Sequence, residues 1–456
     1  MTALFFDITT SLCWGGAPVG ITRVEREIAR RAPGRASHKM RYCFFHQATQ
    51  TYYEIAPALA VDVLNGECWI QLEDLRALTL DKRTLSRDAV VEFDADRTNA
   101  ETLLALHERL ETMPLAELLD LRENSPLIAV HYGSTRRFIT VRQLVVGPVP
   151  MKASTWIING GLDWEHKNLR TIRQNKKKSG FKYVAIIYDI IPLLMPQYVV
   201  PFYVNLLQRY FGELFWTADY GLCISETTRL DVQARMDEWR MPALPMQSWP
   251  LGCDIEETAG ETARLPSVLN GKRYLLYVST IEPRKSHRTI IDAFEHGIVN
   301  GTIPDDAVCV FVGRIGWNID NLVQEIQTNP VLTDRVQIMS GIPDADLVEL
   351  YRQARFVVFP SKYEGYGLSL VEAMALGKAC ISGDAGSLTE VGGDAPLYIS
   401  PIDLAKWTEA LAKAFTDDAM IARLEKKSRT QYVPVTWDDS ADLFYGALNR
   451  WVEEAA

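Results

Sequence analysis

The sequence predicts an α/β protein built from two doubly wound parallel-sheet domains. Three observations lead there. Short apolar runs alternate with amphipathic stretches along the whole chain. A polar, turn-rich segment between Cys253 and Asn270 splits that alternation into two series. A length of 456 residues exceeds what one hydrophobic core holds.

In the first series, Leu4–Ile8 reads as a strand, followed by a glycine-rich loop (Gly15, Gly16, Gly20) and a helix starting near Thr22. Leu127–His131, Thr155–Ile158, Tyr183–Tyr188 and Tyr220–Ile224 are further apolar runs of strand length. Residues 48–125 interrupt the alternation and read as a helical insertion, with Leu103, Leu104, Leu106, Leu110, Leu115 and Leu118 at helical spacing. The second series has strands at Tyr274–Ser279, Ala307–Val312, Val336–Met339, Phe356–Phe359 and Ala379–Ser382. A final capped helix starts near Asp438. The expected domains are therefore residues 1–258 and 266–436, with a terminal helical segment at 437–456.

Composition excludes several classes. Hydrophobic residues make up 47% and charged residues 23%, as in ordinary folded domains, so disorder is not expected. A net charge of −10 argues against nucleic acid as a partner. Six basic residues nevertheless crowd the thirteen positions from Arg170 to Lys182; they read either as a solvated helix end or as a contact for anionic membrane. Seven cysteines without a C-x-x-C pair read as reduced core residues of a cytoplasmic protein. The opening MTALFFDITTSLCWGG has no basic leader and reads as a first strand rather than a signal peptide. No apolar run reaches the length of a membrane span.

Chemistry concentrates in Pro360–Gly377, PSKYEGYGLSLVEAMALG. The preceding run FVVF reads as a buried parallel strand stopped by Pro360, so a loop begins at Ser361. Gly365 and Gly367 leave that backbone open to close approach, and a helix from Leu368 or Ser369 aims its N–H groups into the loop, an arrangement suited to a diphosphate. Gly377 caps the helix. Glu364 falls in the loop and Glu372 in the helix. A bare carboxylate repels phosphate, so the pair reads either as acceptors for sugar or ribose hydroxyls or as solvated glutamates near a helix start. Spacing alone does not choose.

The surrounding motifs do. The run from Gly341 to Asp403, YVSTIEPRKSH from Tyr277 and FVGRIGW from Phe311 resemble the donor-binding half of the family-4 retaining glycosyltransferases, the bacterial polysaccharide type of group 1, which have the GT-B fold. The first half matches more loosely, at GGAPVGITRVEREIARR, YDIIPLLMPQY, CISETTRLDV and WPLGCD. The resemblance implies two Rossmann-like domains facing a cleft, with the terminal helix crossing back to the first. It implies transfer of a hexose, mannose or a deoxyhexose among the candidates, from a nucleotide diphosphate sugar to a glycan or lipid-linked saccharide, without metal or cofactor. Arg284 and Lys285 then bind the diphosphate, Glu364 the transferred sugar and Glu372 the ribose. Tyr366, Gly367 and Leu368 offer backbone N–H groups. Ser279, Gly313, Arg314 and Ile342 complete the donor pocket, and Gly16 and Gly20 face it from the first domain. Asp189, at a strand's carboxyl end, either orients or deprotonates the acceptor hydroxyl or merely forms a turn.

Two departures stand out. An arginine common in the family is replaced at Ser279-Thr280, and Tyr188 stands where the family often has histidine. The rival readings are a GT-B epimerase or phosphorylase and a non-catalytic sugar-nucleotide binder. A further competitor is Asp94-Ala95-Asp96, which imitates the D-x-D metal site of another glycosyltransferase class, but Asp344-Ala345-Asp346 repeats that pattern at an expected helix start.

Overall fold

The computed structural model describes residues 2–14, 20–70, 129–131, 134–138, 144–254 and 265–455. Two sheets dominate. The larger runs Met246–Ser248, Tyr220–Cys223, Lys182–Ile187, Thr155–Asn159, Ala3–Asp7, Met40–His46, Thr51–Ile55, Val145–Pro148. Its first six strands are parallel and the last two antiparallel. The second sheet, in the order Val336–Met339, Ala307–Val312, Arg273–Val278, Phe356–Phe359, Cys380–Gly383, Leu397–Ile399, is wholly parallel. Its central strands are buried along their length, so their sequences are continuous apolar runs rather than alternating ones.

Two expectations need correction. Thr51–Ile55 is a strand hydrogen-bonded to Met40–His46 and Val145–Pro148, so the described start of the 48–125 region extends the first sheet instead of inserting a helix there. TYYEI is identified as a strand by its ladder to both neighbours, with Tyr52 and Ile55 buried. A helix, Pro57–Asn65, follows it. Secondly, Ala129–His131 pairs with Ser134–Phe138 in a separate three-stranded sheet, not in the main one. The leucines from 103 to 118 lie outside the described residues, as does 255–264 within the expected linker.

The terminal helix Trp437–Glu454 starts with a capping box formed by Thr436 and Asp439 and packs on the first domain. Phe444 lies 5.3 Å from Trp249 and 6.3 Å from Phe6, ring to ring, and Trp451 stacks on Tyr220 at 4.7 Å. Tyr445 donates to the Ile28 carbonyl at 2.8 Å. Burying each such aromatic stabilises by about 1.5–3 kcal/mol, which outweighs the weaker exposed ion pairs of Arg35 with Asp438 and Asp442. Both sheets present their carboxyl ends to the region where the domains meet, where open α/β sheets hold ligands.

Candidate functional site

The loop after Phe356–Phe359 is fixed from three sides. The Lys362 amide donates to the Arg284 carbonyl at 2.9 Å, which ties it to the loop after Arg273–Val278. Ser387 donates its amide to the Glu364 carbonyl at 3.1 Å, and its hydroxyl lies 2.9 Å from the carbonyls of both Glu364 and Tyr366, sharing its one proton between them. Ser225, in the first domain, donates to the Gly365 carbonyl at 2.8 Å. A methyl group on Gly365 would stand 2.6 Å from the Tyr188 carbonyl oxygen and 2.9 Å from Asp189 Cβ, so the domains touch here and only glycine fits.

Glu364, Arg284 and Lys285 come together. Arg284 follows the strand in a short turn, Pro283–Lys285, and donates to Glu364 Oε2 at 3.1 Å, to Glu282 Oε1 at 2.6 Å and to the Tyr363 carbonyl at 2.6 Å. Lys285 Nζ meets Glu364 Oε1 at 2.5 Å. Burial alone would raise the Glu364 carboxyl, but Lys285 and Arg284 overcome it and hold the group down at about 2. Burial and the Arg284 charge push the Lys285 ammonium below its ordinary range, against the pull of Glu364. Two cations are thus held by carboxylates at the carboxyl edge of the second sheet, where an arriving anion can compete for them.

Asp189 faces this cluster from the first domain. Its Oδ1 accepts from the Ile191 amide at 3.0 Å, so it does form a turn, and it also sits against Gly365. Burial raises its carboxyl, opposed by that amide and by Arg284. Tyr188 donates its hydroxyl to the Gly160 carbonyl, a packing role.

Gly367, with φ of +98°, begins the site helix Leu368–Ala375, and Leu368 is half-buried at its start. Tyr366 is buried and donates to the Leu251 carbonyl at 2.9 Å. Glu372 accepts from Arg23 at 2.9 Å and from the Tyr351 hydroxyl at 3.2 Å; burial raises its carboxyl and Arg23 opposes that rise. Gly313, at φ +156°, approaches the Ser279 carbonyl so closely that a methyl group would collide with it. Ser279 lies 3.4 Å from His287 Nε2. Ile342 is half-buried beside the core, whereas Arg314 is exposed and its carbonyl accepts from the Ile281 amide at 2.9 Å. Gly20, at φ +51°, precedes the leading helix Ile21–Arg30, and Gly16 lies outside the described residues. Asp344 and Asp346 occupy the first turn of the helix Asp344–Gln353, where acidic side chains favour the helix dipole; Asp94 and Asp96 lie outside the described residues.

Several interdomain partners escape a reading by motif. Arg23 reaches Glu372 from the leading helix. Glu390 accepts from the Glu226 and Thr227 amides at 2.7 and 2.8 Å, capping the helix Glu226–Glu238 of the first domain. Tyr363 donates to Asp231, and the Trp317 indole to the Tyr198 carbonyl at 2.9 Å. Arg23, lying just past the glycine-rich loop, is the one among them that sequence position could have suggested.

Five of the six clustered bases lie on the helix Leu169–Ser179, and Lys182 opens the strand Lys182–Ile187. Lys176 is committed to Asp219 at 2.8 Å and the Thr217 carbonyl at 2.6 Å, and Arg173 to Glu213 at 3.0 Å, while Lys177 and Lys178 are exposed. Among the described residues no helix is long and apolar enough to cross a membrane.

With this geometry in place, comparison with known proteins is informative. Residues 262–431 match the family model described as glycosyl transferases group 1. The serotype-specific mannosyltransferase WbdA of Escherichia coli is 28% identical over 273 residues, 57% of this chain and 32% of its own length. The O-antigen chain mannosyltransferase B of Escherichia coli is 26% identical over 265 residues, 56% of this chain and 67% of its own. The chain thus spans about a third of the length of the first of these relatives. Among solved structures, Anabaena Alr3699/HepE in complex with UDP superposes over 100% of this chain and 99% of its own with a TM-score of 0.51 at 15% identity. Sucrose-phosphate synthase from Thermosynechococcus elongatus covers 66% of this chain and 74% of its own, with a TM-score of 0.51 at 21% identity. The structural likeness speaks to architecture, and the architecture is GT-B.

Proposed function

We infer, from a second domain whose residues 262–431 match the group 1 glycosyltransferases, that the chain transfers a hexose from a nucleotide diphosphate sugar to a hydroxyl of a glycan or lipid-linked saccharide in cell-surface polysaccharide synthesis, with retention of configuration. The relatives named as mannosyltransferases bring mannose to the front of the candidate sugars and favour transfer over the epimerase, phosphorylase and silent-binder readings.

One observation carries this reading: Arg284 and Lys285 meet Glu364 at the second sheet's carboxyl edge, directly opposite Asp189 of the first domain. Departure of the nucleotide builds negative charge on phosphate and an oxocarbenium-like sugar. Arg284 supplies a rigid fork and Lys285 a point charge for that phosphate. Once they turn to it, Glu364 is left ionised to accept from hydroxyls of the transferred sugar, and Glu372 serves the ribose. Amides at the start of the site helix add dipolar support. Asp189 orients the acceptor hydroxyl, and the leaving phosphate takes its proton on the same face. The domains touch at Gly365, beside Glu364, so closure around the donor would exclude water from the reacting atoms.

The protein works in the cytoplasm, at the inner face of the membrane. Lys177 and Lys178 are exposed, and Phe202, Arg209 and Trp216 recur every seven residues on the neighbouring helix Pro201–Thr217, with Phe202 68% and Trp216 49% exposed. Cations beside exposed aromatic rings suit anionic headgroups.

A thermal-shift screen of GDP-, UDP-, ADP- and dTDP-sugars, followed by product analysis, tests the assignment. A true donor at about 100 times its Kd adds about 2.7 kcal/mol of stability. Stabilisation by none of them overturns the reading. EDTA is expected to leave transfer unchanged, and strict dependence on Mn²⁺ would restore Asp94 and Asp96 as a metal site.

A further inference from the structure

Glu372 is bonded by a residue from the other domain. Arg23 stands in the first turn of the leading helix, yet its guanidinium donates to Glu372 Oε1 at 2.9 Å. Both side chains are mostly shielded, at 29% and 16% exposure, so the pair is largely out of reach of solvent screening. The other carboxylate oxygen is taken by the Tyr351 hydroxyl.

We propose that Arg23 is a positioning residue of the donor site, supplied by the first domain, which keeps Glu372 ionised and aimed so that it recognises the two ribose hydroxyls of the nucleotide. The proposal rests on the reading of Glu372 given above. Each carboxylate oxygen has two lone pairs, so Arg23 and Tyr351 use one on each oxygen and leave one on each for a ribose hydroxyl. Ribose therefore adds to the pair without breaking it.

The charge on Arg23 is as important as its geometry. Glu372 is faced by Tyr351 and Asp344 from the helix Asp344–Gln353 and by Cys253 of the first domain, and Arg23 is the cation among these groups. Burial favours the neutral acid, and a protonated Glu372 would lose acceptor capacity toward ribose. A diphosphate arriving nearby would sharpen that penalty, and Arg23 offsets it. Because Arg23 moves with the first domain, ribose recognition is complete only when the domains meet. The contacts of Glu390, Tyr366 and Ser225 across the same boundary do not depend on Arg23, so its loss leaves the fold and the domain contact in place.

The test is titration calorimetry on the full chain with GDP, UDP and ADP, then with the 2′,3′-dideoxy counterpart of whichever binds tightest. Wild type is expected to prefer the ribonucleotide by about tenfold or more. Arg23→Gln compresses that ratio toward one and moves the acid limb of the binding profile to higher pH, and Arg23→Lys restores most of both. A wild type that discriminates paired with an Arg23→Gln variant that discriminates equally well overturns the role of Arg23 while sparing the donor site. A wild type that binds the dideoxy analogue as tightly overturns the ribose role of Glu372, and this proposal with it.

Discussion

Replacing Glu364 by glutamine keeps the shape of the side chain and removes its charge, which isolates what that charge does. Arg284 and Lys285 hold the carboxyl at about 2, against an ordinary value of 4.5. At about 1.4 kcal/mol per unit, that difference corresponds to about 3 kcal/mol of native-state stability. A depressed carboxyl contributes fully above its unfolded value, and the contribution disappears as pH falls from about 4.5 through about 2. At neutral pH the whole contribution is present in wild type and missing in Glu364→Gln. For a domain of this size, about 3 kcal/mol lowers the melting temperature by about 6–12 °C. The variant also leaves two buried cations short of a partner, so a nucleoside diphosphate without its sugar is expected to bind more tightly than in wild type. Transfer falls in the opposite direction, by about tenfold to a hundredfold, because a charge-assisted hydrogen bond to the reacting sugar is lost. Differential scanning fluorimetry, calorimetry with GDP or UDP, and initial rates read the three quantities. Wild-type turnover, or weaker diphosphate binding in a folded variant, refutes the reasoning.

Gly365→Ala drives a methyl group to 2.6 Å from the Tyr188 carbonyl and so wedges the domains apart. Transfer should fall at least about tenfold, and nucleoside diphosphate affinity should weaken with it as Arg23 is drawn away from Glu372; equal rates would mean the contact is dispensable. Asp189→Asn retains the oxygen that accepts from the Ile191 amide, so the fold should persist. The variant should transfer at least about a hundredfold more slowly at unchanged donor affinity, and a rate change under twofold would reduce Asp189 to a turn former. Lys177→Gln with Lys178→Gln removes about 2 kcal/mol of attraction to phosphatidylglycerol vesicles, about thirtyfold in partitioning measured by sedimentation. Identical partitioning would make that helix end a solvated surface.

The core of the second sheet was legible because its central strands are buried apolar runs bounded by proline, glycine or polar residues, as Phe356–Phe359 is by Pro360. The donor loop was legible for a related reason: glycines at 365 and 367 are dictated by backbone, the one by contact with Tyr188 and the other by its positive φ. Thr51–Ile55 was missed because its five residues, with two adjacent tyrosines and a glutamate, carry no apolar alternation and sit beside a polar stretch. The partners of Glu372 and Glu364 differ in how they could be found. Arg284 and Lys285 share a dibasic motif with a loop context, whereas Arg23 lies 349 positions from Glu372 and only domain docking brings them together. Asp231 with Tyr363 and Glu390 with Thr227 are of the same kind: no periodicity or local propensity records a contact made between two separately folded surfaces.

The terminal helix has a consequence for how the chain is made. Phe444 and Trp451 complete the aromatic packing around Phe6, Trp249 and Tyr220, so part of the first domain's wall is encoded after the entire second domain. On the ribosome the first sheet emerges early and must wait for its last side chains. At about 5–20 residues per second, that delay lasts on the order of tens of seconds. During it Trp249 and Tyr220 have no cover from Phe444 and Trp451, so the nascent chain is a natural client for chaperones, and a premature stop before Trp437 would strand a first domain with an open apolar flank.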